Sequence, residues 1–100
     1  MVAQRWLRCK ISPGQFSEEY AVSARDYQNV QFSLFVNESF VEHECPEISE
    51  GVECNGRLLV IVLDEKQDLA LIRLPGRTFE NGSTVTVRDN QLESVAPSHA

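Results

Sequence analysis

A chain of 100 residues, 42% hydrophobic and 24% charged, has the size and composition of one globular domain that folds without staples. Its formal net charge of −6 opposes phosphate backbones and so disfavours nucleic acid as a partner. The longest apolar run, the six residues Leu58 to Leu63, falls far short of the roughly 20 that a membrane helix requires, so no membrane partner is expected.

The chain opens with MVAQRWLRCKI, which has charges but no apolar core of a secretory signal. Leu7, Cys9 and Ile11 alternate with Trp6, Arg8 and Lys10, the period of a half-buried strand. Cys9 on the apolar face reads as a small core residue. Trp6, beside Arg8 and Lys10 on the other face, either packs over an open end of the fold or serves as a contact residue. Ser12-Pro13-Gly14 breaks this strand. Tyr20, Val22 and Ala24 mark a second strand, and Val30, Phe32, Leu34 and Val36 a third, with Phe35 on its polar side.

From Asn37 to Gly51 the alternation stops. Asn37 or Ser39 caps at most one helical turn, because Pro46 and Gly51 prevent a longer helix. A connection of about fifteen residues is unusually long for a compact domain. Asn55-Gly56 then reads as a tight hairpin turn, since both positions tolerate positive φ. The run Leu58 to Leu63 is expected to be a strand buried on both faces, joined through the charged tip DEKQD to the strand LALIRLP. Pro75-Gly76 ends that strand, and Asn81-Gly82 makes the turn into STVTV. RDNQLESV follows as a turn or single 3₁₀ turn and a last short strand, and residues 97–100 form a frayed tail.

These elements predict an all-β fold: one domain over residues 1–96, a small antiparallel barrel or sandwich of six to seven short strands. The meander after residue 57, its charged hairpin and the terminal DNQLESV resemble the closing half of an SH3-like barrel. The resemblance is one of shape and implies an SH3-like barrel. The aromatic groove of peptide-binding SH3 domains is not visible.

Charge is spread unevenly. Residues 26 to 56 carry seven acidic side chains and no basic one, whereas residues 1 to 25 carry four basic and two acidic. Such a segment faces water or meets another molecule's cations. The densest part, FVEHECPEISEGVECNG, spans residues 40 to 56. Its Glu42, Glu44, Glu47, Glu50 and Glu53, with Ile48 and Val52 as apolar anchors, are the candidate partner-binding residues, together with Trp6 and Phe35. His43, Cys45 and Cys54 offer three metal ligands, but their spacing departs from the paired knuckles of structural zinc sites. No metal or other cofactor is expected. A Cys45–Cys54 bridge would close a loop of about ten residues. Three cysteines without a repeating framework point instead to reduced thiols and a cytoplasmic protein.

Enzyme signatures are missing. The chain has no GxGxxG, P-loop, HExxH or GxSxG pattern. Carboxylates around Cys45 and Cys54 disfavour the thiolate that nucleophilic cysteine chemistry needs. Asp64, Glu65 and Asp68 cluster at a hairpin tip without a pocket. The residues therefore point to a non-enzymatic interaction or assembly module with a protein partner or a second copy of itself. A small metal- or ligand-binding regulator using His43, Cys45 and Cys54 is the alternative.

Overall fold

The computed structural model describes residues 3–79 and 82–95. Within them, eight antiparallel strands form one sheet curled into a half-barrel, and the only helical segments are two 3₁₀ turns. The strands are β1 (Ala3–Pro13), β2 (Glu19–Arg25), β3 (Gln31–Asn37), β4 (Val41–His43), β5 (Cys54–Lys66), β6 (Leu69–Arg73), β7 (Thr84–Arg88) and β8 (Leu92–Ser94). They run in the order β3-β2-β1-β5-β6-β7, with β4 paired to β5 and β8 to β1. The all-β barrel expected from the alternation is present, with eight strands rather than six or seven.

β1 and β5 are the spine, paired from Ala3↔Val62 to Ile11↔Cys54. The other edge of β1 is divided: Arg5 to Leu7 take β8, and Lys10 to Pro13 take β2. β5 is divided likewise, its start held by β4 and its end by β6. A bulge between Val62 and Asp64 bends β5 as it passes from one neighbour to the next. The end strands β3 and β7 each receive one further backbone hydrogen bond. Phe79 N–H donates to Ser33 O on β3 at 2.9 Å, and Tyr27 N–H donates to Thr86 O on β7 at 3.0 Å.

The inward positions are those the alternation predicts. Leu7, Ile11, Leu34, Leu58 and Ile72 are wholly buried, and no polar or charged residue joins them among the described residues. A core of this kind is stabilised by apolar burial with tight packing. Leu34→Ala is expected to cost about 2–5 kcal/mol in urea denaturation, as cavity formation adds to the lost transfer energy. Substitution of the neighbouring, exposed Gln31 is expected to change stability by less than about 0.5 kcal/mol.

Two expectations are overturned here. Asn55-Gly56 is not a turn; both residues lie inside β5, opposite Lys10 and Cys9 of β1. Gly56 also faces His43 of β4, so the glycine permits close approach of three strands rather than a positive φ. The run Leu58 to Leu63 is buried on one face only. Leu58, Val60 and Val62 enter the core, while Leu59, Ile61 and Leu63 are half-buried on the outer face. No helix covers that face among the described residues. Asn37 does cap a single 3₁₀ turn, Glu38–Phe40, its Oδ1 accepting from Ser39 N–H at 2.9 Å. The second 3₁₀ turn, Asp89–Gln91, precedes β8 as the sequence predicts. Asn81 of the predicted Asn81-Gly82 turn and the tail 97–100 lie outside the described residues.

Candidate functional site: a pinned acidic loop

Residues 44–53 leave the sheet between β4 and β5 and carry four of the five clustered glutamates. Their base is tied down repeatedly. Glu44 N–H donates to Asn55 O at 3.1 Å, extending the β4–β5 ladder by one rung. One residue further on, Cys45 and Cys54 are joined by a disulfide across a Cα–Cα distance of 6.1 Å. The expectation of reduced thiols at these two positions is therefore corrected. Its failure has a local cause: without β4 the sequence shows no reason for Cys45 and Cys54 to face each other. With β4 in place they become cross-strand neighbours, at a separation a bridge can span.

His43 braces the same base. Its Nδ1 lies 2.7 Å from Cys45 O, which fixes that nitrogen as the donor, and Nε2 faces Tyr20 Oη at 3.5 Å. The Tyr20 and His43 rings meet edge to face at 5.6 Å. Ile48 is half-buried and packs against the core. It thus anchors the loop on its own barrel. At the tip, Gly51 adopts φ +78°, the left-handed region that favours glycine, and Val52 N–H donates to Ser49 O at 3.3 Å. Val52 is 58% exposed.

The carboxylates divide into two groups. Glu42 is on β4 and pairs with Arg57 of β5, directly across the ladder. The acidic segment therefore does meet one cation of its own chain. Glu44, Glu47, Glu50 and Glu53 are exposed and form no ion pair among the described residues. His43, Cys45 and Cys54 do come together, but as a brace and a bridge. Sulfurs joined to each other are not available as thiolate ligands, and no cluster among the described residues could hold a metal ion. Metal binding through this triad is not supported. Asp64, Glu65 and Asp68 are exposed at their hairpin tip, where Glu65 pairs with Arg5 at 3.6 Å.

Trp6 and Phe35 belong to other surroundings. Trp6 lies on the outer face in mid-ladder, opposite Leu59 of β5 and Glu93 of β8, and does not close an open end. Arg57 stands over its ring at 5.2 Å and donates to Glu93 Oε1 at 2.9 Å. Glu93 first, then Glu42, hold the Arg57 guanidinium above its ordinary proton affinity. Phe35, two strands from β1, is half-buried against Phe79, with ring centroids 5.1 Å apart. A feature that sequence reasoning missed is an apolar groove of about 240 Å³ between Phe40, Leu59, Ile61 and Pro75. Its signal was available: the double-faced apolar run 58–63 occurs in a chain with no amphipathic helix to cover one side.

Cys9, the remaining cysteine, is free and buried in the core. Burial pushes its thiol up from 9.0 to about 12. Because the folded state holds the proton more tightly than the unfolded state, this contribution to stability is present below pH 9. It is lost as pH rises from 9 towards 12. Accordingly, native protein at pH 8 is expected to resist iodoacetamide at Cys9, as mass spectrometry would show, and to be labelled fully in denaturant.

Comparison of the chain with models of known protein families, with curated proteins and with solved structures finds no match.

Proposed function

We propose that this chain is a non-enzymatic interaction module, an SH3-like barrel whose contact element is the acidic loop 44–53 and whose partner presents a basic protein surface. One observation carries the reading: four carboxylates without ion pairs among the described residues stand on a loop held by a disulfide, a histidine brace and a core anchor. A charged loop that served solubility alone would need no such tethering. Holding it in one shape lowers the ordering cost on binding, and its one-signed charge raises the encounter rate with a cationic partner. The SH3-like reading is supported by β8, which returns onto β1 after the 3₁₀ turn at Asp89–Gln91. The bridge suits an oxidising compartment and weighs against the cytoplasmic placement expected from composition.

The test is neutralisation of Glu44, Glu47, Glu50 and Glu53 to glutamine, which leaves every tether in place. Capture of partners from lysate is expected to fall at least tenfold at low salt, with the salt dependence of binding largely removed. Retention of every partner by the neutralised protein would refute the proposal. Sedimentation of the purified chain across concentrations separates a foreign partner from a second copy.

A further inference from the structure

On the other side of β1, basic residues that look scattered in the sequence converge. β1 leaves β8 after Leu7 and takes up β2 at Lys10, and the fork between these pairings opens a concavity of about 470 Å³. Arg8, Lys10 and Arg25 line it, against a single carboxylate, Glu53. Three of the nine basic residues of a chain with net charge −6 thus share one hollow.

Their anchors are neutral. Lys10 Nζ donates to Asn55 Oδ1, Arg8 to the carbonyl of Asn90, and Arg25 to the carbonyl of Asn29 at 2.9 Å. Lys10 and Arg25 form no ion pair among the described residues, and Arg8 meets Glu93 only at 3.9 Å. Lys10 and Arg25 are therefore positioned without an ion pair among the described residues. Gln91 steadies the wall: its Nε2 donates to Arg25 O at 2.7 Å and its Oε1 accepts from Arg88 N–H at 2.7 Å. Ser23 adds a hydroxyl to the lining.

We propose that this fork is a binding site for a compact phosphorylated small molecule. Positioned arginine and lysine with neutral hydrogen-bonding neighbours are the chemistry that recognises phosphate oxygens, and the volume lies in the range of small-molecule sites. A compact ligand is favoured over a nucleic-acid strand because Glu53 stands at the rim. Any long polyanion leaving the hollow on that side would run against the acidic loop. The site shares Glu53 with the loop of the proposed contact, but its three cations lie outside that loop.

Pyrophosphate is the probe, titrated into ¹⁵N-labelled full chain and compared with sodium chloride at matched ionic strength. Saturable amide shifts are expected at Arg8, Cys9, Lys10, Ser23 and Arg25. Lys10→Gln with Arg25→Gln is expected to raise Kd at least about tenfold, because two charge-assisted contacts are lost. Ser23→Glu, which leaves both cations intact, is expected to weaken binding similarly, and Arg77→Gln to change it less than about twofold. The spectra themselves report whether each variant is folded. Shifts reproduced by sodium chloride, or an unchanged Kd in folded Lys10→Gln/Arg25→Gln protein, would overturn the site. Tighter binding of a ten-nucleotide single strand than of pyrophosphate, with shifts spreading beyond the fork, would overturn the compact-ligand assignment.

Discussion

Alanine at Gly56 is expected to destabilise the protein by about 3 kcal/mol, although the substitution adds one methyl group and suits a strand no worse than glycine. Gly56 is buried inside β5 with β1 on one side and β4 on the other. A Cβ built there falls 2.5 Å from Glu42 O and collides with Ile11 Cδ1. The Ile11 methyl belongs to a wholly buried side chain, and the carbonyl to a strand of only three residues. Relief at the carbonyl would displace β4, and with it the ladder that seats the acidic loop. Overpacking of this kind costs about 1–3 kcal/mol and sometimes more, and a backbone contact belongs at the upper end. For a domain of this size the loss corresponds to a fall in Tm of roughly 10–20 °C.

The two collisions can be separated. Ile11→Val removes Cδ1 and alone is expected to cost about 0.5–1.5 kcal/mol. Combined with Gly56→Ala it is expected to restore part of the lost stability, giving a non-additive cycle, while the Glu42 carbonyl keeps recovery incomplete. Urea denaturation of the four proteins measures the coupling. A Gly56→Ala protein within about 0.5 kcal/mol of the parent would show that the three strands yield more easily than their packing suggests.

Gly56 also shows where the residues themselves stop being informative. Asn-Gly is a turn signal because of local backbone preference, yet here the need for close approach between strands decides. That need is a property of β4, a strand too short to reveal itself by alternation. The same hidden strand conceals the Cys45–Cys54 pairing. By contrast, β1, β2, β3 and β6 announce themselves, because one face of each must be apolar over five or more residues. In β5 the alternation is lost, since both faces are apolar, and only the absence of a covering layer distinguishes inner from outer. Of the candidate site, the charge of residues 42–53 was legible. The split between a paired Glu42 and four carboxylates without ion pairs among the described residues was not, because Arg57 becomes a neighbour only through the ladder. The cationic fork is hidden for the same reason: Arg8 and Arg25 lie 17 positions apart, and β1 and β2 bring them together.

Reduction of the Cys45–Cys54 bridge is expected to cost about 2.5 kcal/mol, the loop-closure entropy of about ten residues that the bridge denies the unfolded chain. Tm should fall by roughly 10–20 °C in a thiol-free phosphine reductant, and by a similar amount in Cys45→Ser/Cys54→Ala protein. The fold is expected to survive, because the core of Leu7, Ile11, Leu34, Leu58 and Ile72 does not include the bridge and Cys9 needs no partner. What should change is the loop. Cys54 stays buried at the start of β5, but Cys45 is released, leaving the Glu44–Asn55 rung, the His43 brace and Ile48 to hold residues 44–53. Charge is unaltered by reduction, so a partner that needs only negative charge would bind the reduced and oxidised forms alike. A partner that reads a fixed arrangement of carboxylates would bind the oxidised form more tightly, by the ordering cost the bridge has already met, on the order of tenfold for 1.4 kcal/mol. Equal affinity, with Tm lowered as expected, would leave the bridge as a stabilising staple and deny the loop a fixed recognition shape. An unchanged Tm would mean that the unfolded chain gains little freedom when the bridge is cut, and the entropic account of its role would fall with it.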